Sequence, residues 1–81
     1  MNKKTIGLAI KALREEKGLS LAELTRQTGL TKSTLYGIES CGRSPHFATV
    51  CIIVDTLDVS LDFFREYCLK YNKENNISSD K

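Results

Sequence analysis

Apolar residues recur at three- and four-residue intervals from Ile6 to Tyr71, and polar breaks divide them into five runs. In the first run, Ile6, Ala9, Ile10 and Leu13 share one face of a helix expected over about 5–17, with Thr5 as its N-cap and Gly18 as the left-handed residue that closes it. Ser20 and Glu23 form an S-x-x-E capping box, which starts a second helix over about 21–28. Leu21 and Leu24 point inward there, and Gly29 ends the helix. Thr31 caps a third helix, about 32–40, whose inward residues are Leu35 and Ile38. After the link S-C-G-R-S-P-H, the residues Phe47, Val50, Ile53, Val54 and Leu57 give the inward face of a fourth helix over about 46–57. Asp58 tolerates a left-handed turn, and Ser60 caps a fifth helix over about 61–71. From Asn72 the chain is polar and aperiodic, so 73–81 is expected to be a disordered tail. No segment alternates as a strand. The expected class is all-α, with five helices in one domain spanning 1–72.

The second and third of these helices are short, close and joined at a glycine, the pattern of a helix-turn-helix. A helix presented this way can lie in the major groove of duplex DNA, with its N-terminal and outward residues on base edges. With Leu35 and Ile38 inward, the outward positions are Lys32, Ser33, Tyr36, Gly37 and Ser40, with Thr34 to one side. Lys32 can donate to guanine or phosphate. Ser33 can pair with several bases, and Tyr36 can stack on sugar or a thymine methyl. Gly37 offers only a close approach of backbone. Ser20 and Leu21 at the start of the second helix, Thr31 at the start of the third, and Arg43 in the following loop are candidate phosphate contacts.

Charge sharpens the picture. The chain carries a net +2, unevenly divided: residues 1–46 hold eight basic and four acidic side chains, residues 47–81 four basic and six acidic. The first part suits a polyanion and the second does not. At 81 residues the chain is one small domain. No apolar run approaches the ~20 residues of a membrane span, and no apolar leader follows Lys3 and Lys4, so the expected location is the cytoplasm. Cys41, Cys51 and Cys68 are odd in number, widely spaced and accompanied by a single histidine, His46. That set lacks the paired spacing of a zinc site, so no metal or other cofactor is expected. Neither a phosphate-cradling glycine loop nor a nucleophile–histidine spacing is present, which argues against an enzyme.

The chain also resembles the phage-repressor/Cro-like (XRE) helix-turn-helix regulators. The resemblance rests on I-G-x-x-I-x-x-L-R at 6–14, G-L-S-x-x-E-L at 18–24, G-L-T-x-S-T-L at 29–35, I-E-x-x-x-R-S-P at 38–45 and L-x-V-S-L-D-F-F at 57–64. It implies a compact five-helix, lambda-repressor-like domain that binds operator DNA as a homodimer and regulates transcription, as a repressor by expectation. It further implies that Arg14 pairs with Glu39, tying the first helix to the third. Three positions depart from the family pattern. Leu21 stands where glutamine is usual, Thr25 where alanine is usual, and Cys41 where glycine is usual, with Gly42 following.

The last two helices carry more apolar surface than one core face needs. Ile52 extends the run V-C-I-I-V, and Phe63, Phe64, Tyr67, Cys68 and Tyr71 crowd the fifth helix. Ile52, Phe63, Tyr67 and Tyr71 are the expected dimer interface. Two other readings stand beside this one: an antitoxin-type regulator whose tail or apolar face grips a toxin, and a protein-interaction module on a helix-turn-helix scaffold without DNA binding, to which Leu21 and Gly37 point.

Overall fold

A computed structural model describes residues 3–75 and contains α1 (Lys3–Glu16), α2 (Leu21–Thr28), α3 (Lys32–Ser40), α4 (Phe47–Thr56) and α5 (Leu61–Glu74), with no strand among those residues. The inward residues of all five helices meet in one core, centred on Ile10, Leu13, Leu24, Leu35, Ile53 and Leu57. α1 packs on α3 and α5, α2 on α3 and α4, and α4 on α5. Each of α2, α3 and α5 starts on a hydroxyl cap: Ser20, Thr31 and Ser60 accept from the amides of Glu23, Thr34 and Phe63. Asp58 turns the chain at φ 61°, as its short polar side chain permits.

Both outer ends differ from the sequence expectation. Thr5 is not an N-cap. It lies inside α1, fully buried, and its hydroxyl donates to Asn72 Oδ1 at 2.8 Å. The helix starts two residues before it, and the Thr5 side chain ties α1 to α5. The same bond helps α5 continue to Glu74, past the expected end at Tyr71, and Asn75 closes it by donating from Nδ2 to the Tyr71 carbonyl. The polar tail expected over 73–81 therefore begins inside α5, and its remainder, 76–81, lies outside the described residues.

Phe47 is the one expected core residue that the fold leaves out, at 72% exposure. Helical side chains lean toward the N-terminus, so at the first position of α4 the ring leans past the helix end, where nothing covers it. Phe47 instead borders a shallow apolar groove with Ile6, Val50, Leu61 and Phe64.

Gly7 sets how closely α1 and α3 approach. A Cβ there would collide with the backbone carbonyl oxygen of Ile38 and stand 2.9 Å from its carbonyl carbon. Only a residue without a side chain lets the two backbones meet.

Candidate nucleic-acid interface

The link between α2 and α3 is built for a sharp bend. Gly29 takes φ 77° and donates its amide to Thr25, and the Thr28 hydroxyl accepts from the amide of Leu30. Thr25, the bulkier residue between the helices, fits because its hydroxyl donates to the Leu21 carbonyl at 2.8 Å. Thr31 then opens α3, and its hydroxyl also donates to that of Thr34.

α3 is held from behind at three kinds of contact. Leu35 and Ile38 are in the core. Gly7 brings the α1 backbone against Ile38. Arg14 reaches across with two parallel bonds, Nε to Glu39 Oε2 at 2.9 Å and Nη2 to Oε1 at 3.0 Å, while Nη1 donates to the Leu19 carbonyl at 2.7 Å. The side chains of this pair are 8% and 2% exposed, and the Glu39 hydrogen bond raises the Arg14 pKa above its already high ordinary value. Each side-chain nitrogen and oxygen of the pair has a hydrogen-bond partner, which a buried pair requires. One guanidinium thereby fixes α3, α1 and the loop leading into α2.

The opposite side of α3 faces solvent. Lys32, Ser33, Tyr36 and Ser40 are exposed there, Tyr36 at 54%. No acidic residue occupies the first turn of α3, so its amide end keeps its positive character for an anion. α2 is different. The Ser20 hydroxyl is taken by the Glu23 amide, and the Glu23 carboxylate lies over the helix start, 3.4 Å from the Ser20 amide. Leu21 packs its side chain against the core and leaves only its amide for a phosphate. The structure thus gathers Lys32, Ser33 and Tyr36 on one surface, with Thr34 half-buried at its edge.

Gly37 does not fit the expected role. It is buried, not open. Its cover is Arg43: the atoms nearest to where a Gly37 Cβ would stand are Arg43 Cδ, Nε and Cζ, at 3.0, 3.1 and 3.4 Å. The chain reaches this position because Gly42, at φ 73°, turns it back along α3, and the Arg43 amide donates to the Gly37 carbonyl at 3.1 Å. The displaced glycine of the sequence pattern is what makes this return.

The expected dimer residues lie away from α3. Ile52 and Phe63 are 40% and 48% exposed, while Tyr67 and Tyr71 are half-buried against the core. The rings of Phe63 and Tyr67 are 6.1 Å apart, and with Glu16, Glu66 and Lys70 they border a shallow groove. Tyr67 donates its hydroxyl to Glu16 at 3.4 Å, and burial with that carboxylate raises its pKa. The three cysteines are free thiols; burial pushes that of Cys68 up to about 11, which keeps it protonated and inert. Among the described residues no group of side chains is arranged to hold a metal, and no helix is long and apolar enough to cross a membrane.

Comparison with known proteins places this geometry. A family model described as helix-turn-helix matches residues 10–64. Two proteins named uncharacterized HTH-type transcriptional regulators, Mb0023 of Mycobacterium bovis and Rv0023 of Mycobacterium tuberculosis, are each 42% identical over 50 residues, 62% of this chain. The chain spans about a fifth of the length of these relatives, 20% of each. Among solved structures, the wild-type restriction-modification controller protein C.Esp1396I matches with a TM-score of 0.80 at 27% identity, over 88% of this chain and 92% of that one. The same controller protein bound to a 25 base pair operator site matches with a TM-score of 0.78 at 28% identity, over 84% and 90%.

Proposed function

The chain belongs to the XRE-type helix-turn-helix family of transcriptional regulators, a DNA-binding fold and not an enzyme family, and from that premise we propose that it binds operator DNA sequence-specifically as a homodimer and represses transcription. The observation that carries this reading is the two-sided build of α3. One side is locked by Leu35, Ile38 and the Arg14–Glu39 pair, and the other offers Lys32, Ser33 and Tyr36 beside an uncompensated helix start. A helix so fixed delivers its outward side chains to base edges without the cost of ordering its backbone on binding. Around it, Ser20, Leu21, Thr31 and Thr34 set the register through phosphate contacts, Leu21 by its backbone amide. The operator-bound form of the similar controller protein supports the same partner, duplex DNA. The site of action is the cytoplasm, and no cofactor or catalytic step enters the reading.

Pairing runs through the outer surface of α4 and α5, with Ile52, Phe63, Tyr67 and Tyr71 facing the second copy. Two copies place their α3 helices in successive major grooves, about 34 Å apart. Selection of bound duplexes from a random pool tests the whole reading. A palindromic consensus is expected, with half-sites one helical turn apart. A pool that stays random after selection refutes it. The exposed Phe47 beside Leu61 favours one second reading, a regulator whose apolar groove also takes a partner protein. Co-purification of an equimolar partner, absent with Phe47→Ser, is its signature.

A further inference from the structure

We infer that Arg43 reads a base from the face of α3, in a pose set by Gly37, and is not a phosphate clamp in the loop. This rests on the DNA-binding reading above and assigns a specificity-determining residue within it. Gly37 lies four residues after Ser33 and one after Tyr36, on the side of α3 turned away from Leu35 and Ile38. A residue in that place belongs to the open surface, yet Gly37 is buried, and what buries it is the Arg43 side chain. The missing side chain at 37 is a slot along the helix, and the arginine stem fills it.

Three observations fix the arginine there. Gly42 takes the left-handed conformation that brings the chain back along α3. The Arg43 amide donates to the Gly37 carbonyl, anchoring the base of the side chain. Cδ, Nε and Cζ then lie against Gly37 itself. Arg43 remains exposed, and among the described residues no carboxylate stands within ion-pair distance of it, whereas Arg14, Arg26 and Arg65 each have one. Its planar fork lies against Gly37, on the flank of α3 that carries Thr34, and its side-chain donors have no hydrogen-bond partner among the described residues. That is the arrangement for a bidentate bond to guanine O6 and N7, the pairing that discriminates most strongly among bases. A lysine or a mobile loop arginine would meet a phosphate equally well; a guanidinium laid along the recognition helix has a defined reach into the groove.

The glycine makes this testable. In Gly37→Ala the three atoms nearest to the new methyl, at 3.0–3.4 Å, all belong to the flexible Arg43 side chain, so that side chain must shift while the fold stands. Alanine also favours the helix over glycine, so this variant melts at or above the wild-type temperature. The experiment compares wild type, Gly37→Ala, Arg43→Ala and the double variant by selection from a random duplex pool and by titration of the wild-type consensus duplex. Arg43→Ala is expected to lose about tenfold or more in affinity and to flatten the preference at one base pair per half-site. Gly37→Ala is expected to flatten the same base pair, and the double variant to bind no worse than Arg43→Ala. Independent losses that multiply in the double variant overturn the inference, because Gly37 then acts on DNA by itself. So does a Gly37→Ala variant with unchanged preference, or an Arg43→Ala variant weakened equally on every sequence. A wild-type chain that enriches no sequence instead brings down the DNA-binding reading, and this assignment with it.

Discussion

At position 7 a hydrogen atom stands where any other residue would put carbon against the Ile38 carbonyl. Backbone cannot yield as a side chain can, so Gly7→Ala must force α1 and α3 apart. The expected loss is about 3 kcal/mol, at the upper end of overpacking, read as a lower urea midpoint with an unchanged slope. A variant as stable as wild type would mean that the helices do not meet there. Gly37 gives the opposite result with the same substitution, because its neighbour is the yielding stem of Arg43. Neither role was legible in the sequence. Both glycines sit inside helices, where glycine is unfavourable by about 1 kcal/mol against alanine. That cost was the available signal, since a helical glycine implies a close approach, but what approaches depends on tertiary packing. Arg14 and Glu39 became a pair only through the family resemblance. Their sequence separation of 25 carries no local signal.

At the scale of elements, punctuation was legible because it is local. The capping box at Ser20 and the caps at Thr31 and Ser60 act within three residues, and the structure starts α2, α3 and α5 immediately after them. The two ends that sequence reasoning missed, at Thr5 and Glu74, depend on a hydrogen bond between residues 67 positions apart. Phe47 was misplaced for a related reason: its spacing suits the inward face, but its position at the helix end does not. Ser20→Ala tests the local rule. It removes the hydroxyl half of the box, leaving the amide of residue 20 to Glu23, and is expected to lower stability by about 1 kcal/mol, seen as a fall in melting temperature. An unchanged melt would show that the core alone sets the start of α2.

Across the whole molecule, basic and acidic residues are divided in keeping with the two proposed tasks, DNA binding and pairing. The surface of α3 and its loop holds Lys32 and Arg43 without neighbouring carboxylates, whereas α5 carries Asp62, Glu66 and Glu74 beside its aromatic residues. The proposed pairing surface lies on this second side, so that α3 stays open in the dimer. Ile52→Lys is expected to convert the dimer to a monomer in sedimentation at micromolar concentration, and Phe47→Lys to leave it paired. The reverse outcome would move the interface to the groove between Phe47 and Leu61. A wild-type chain that sediments as a monomer would remove the dimer altogether. The apolar surplus on α4 and α5 was visible in composition. Its division into two separate faces was not, because that depends on how α4 and α5 cross.

The division of labour around α3 has a consequence for how this protein can change. Leu35, Ile38 and Glu39 tie the helix to its scaffold, while Lys32, Ser33, Tyr36 and the arginine over Gly37 are almost free of structural duty. On the proposed reading, replacements on the second set alter the preferred target without eroding the margin of folding, and replacements on the first do the reverse. The molecule therefore keeps separate accounts for what it recognises and whether it folds. If α3 reads DNA as proposed, a lineage with this architecture can drift from one operator to another through intermediates that are all stable.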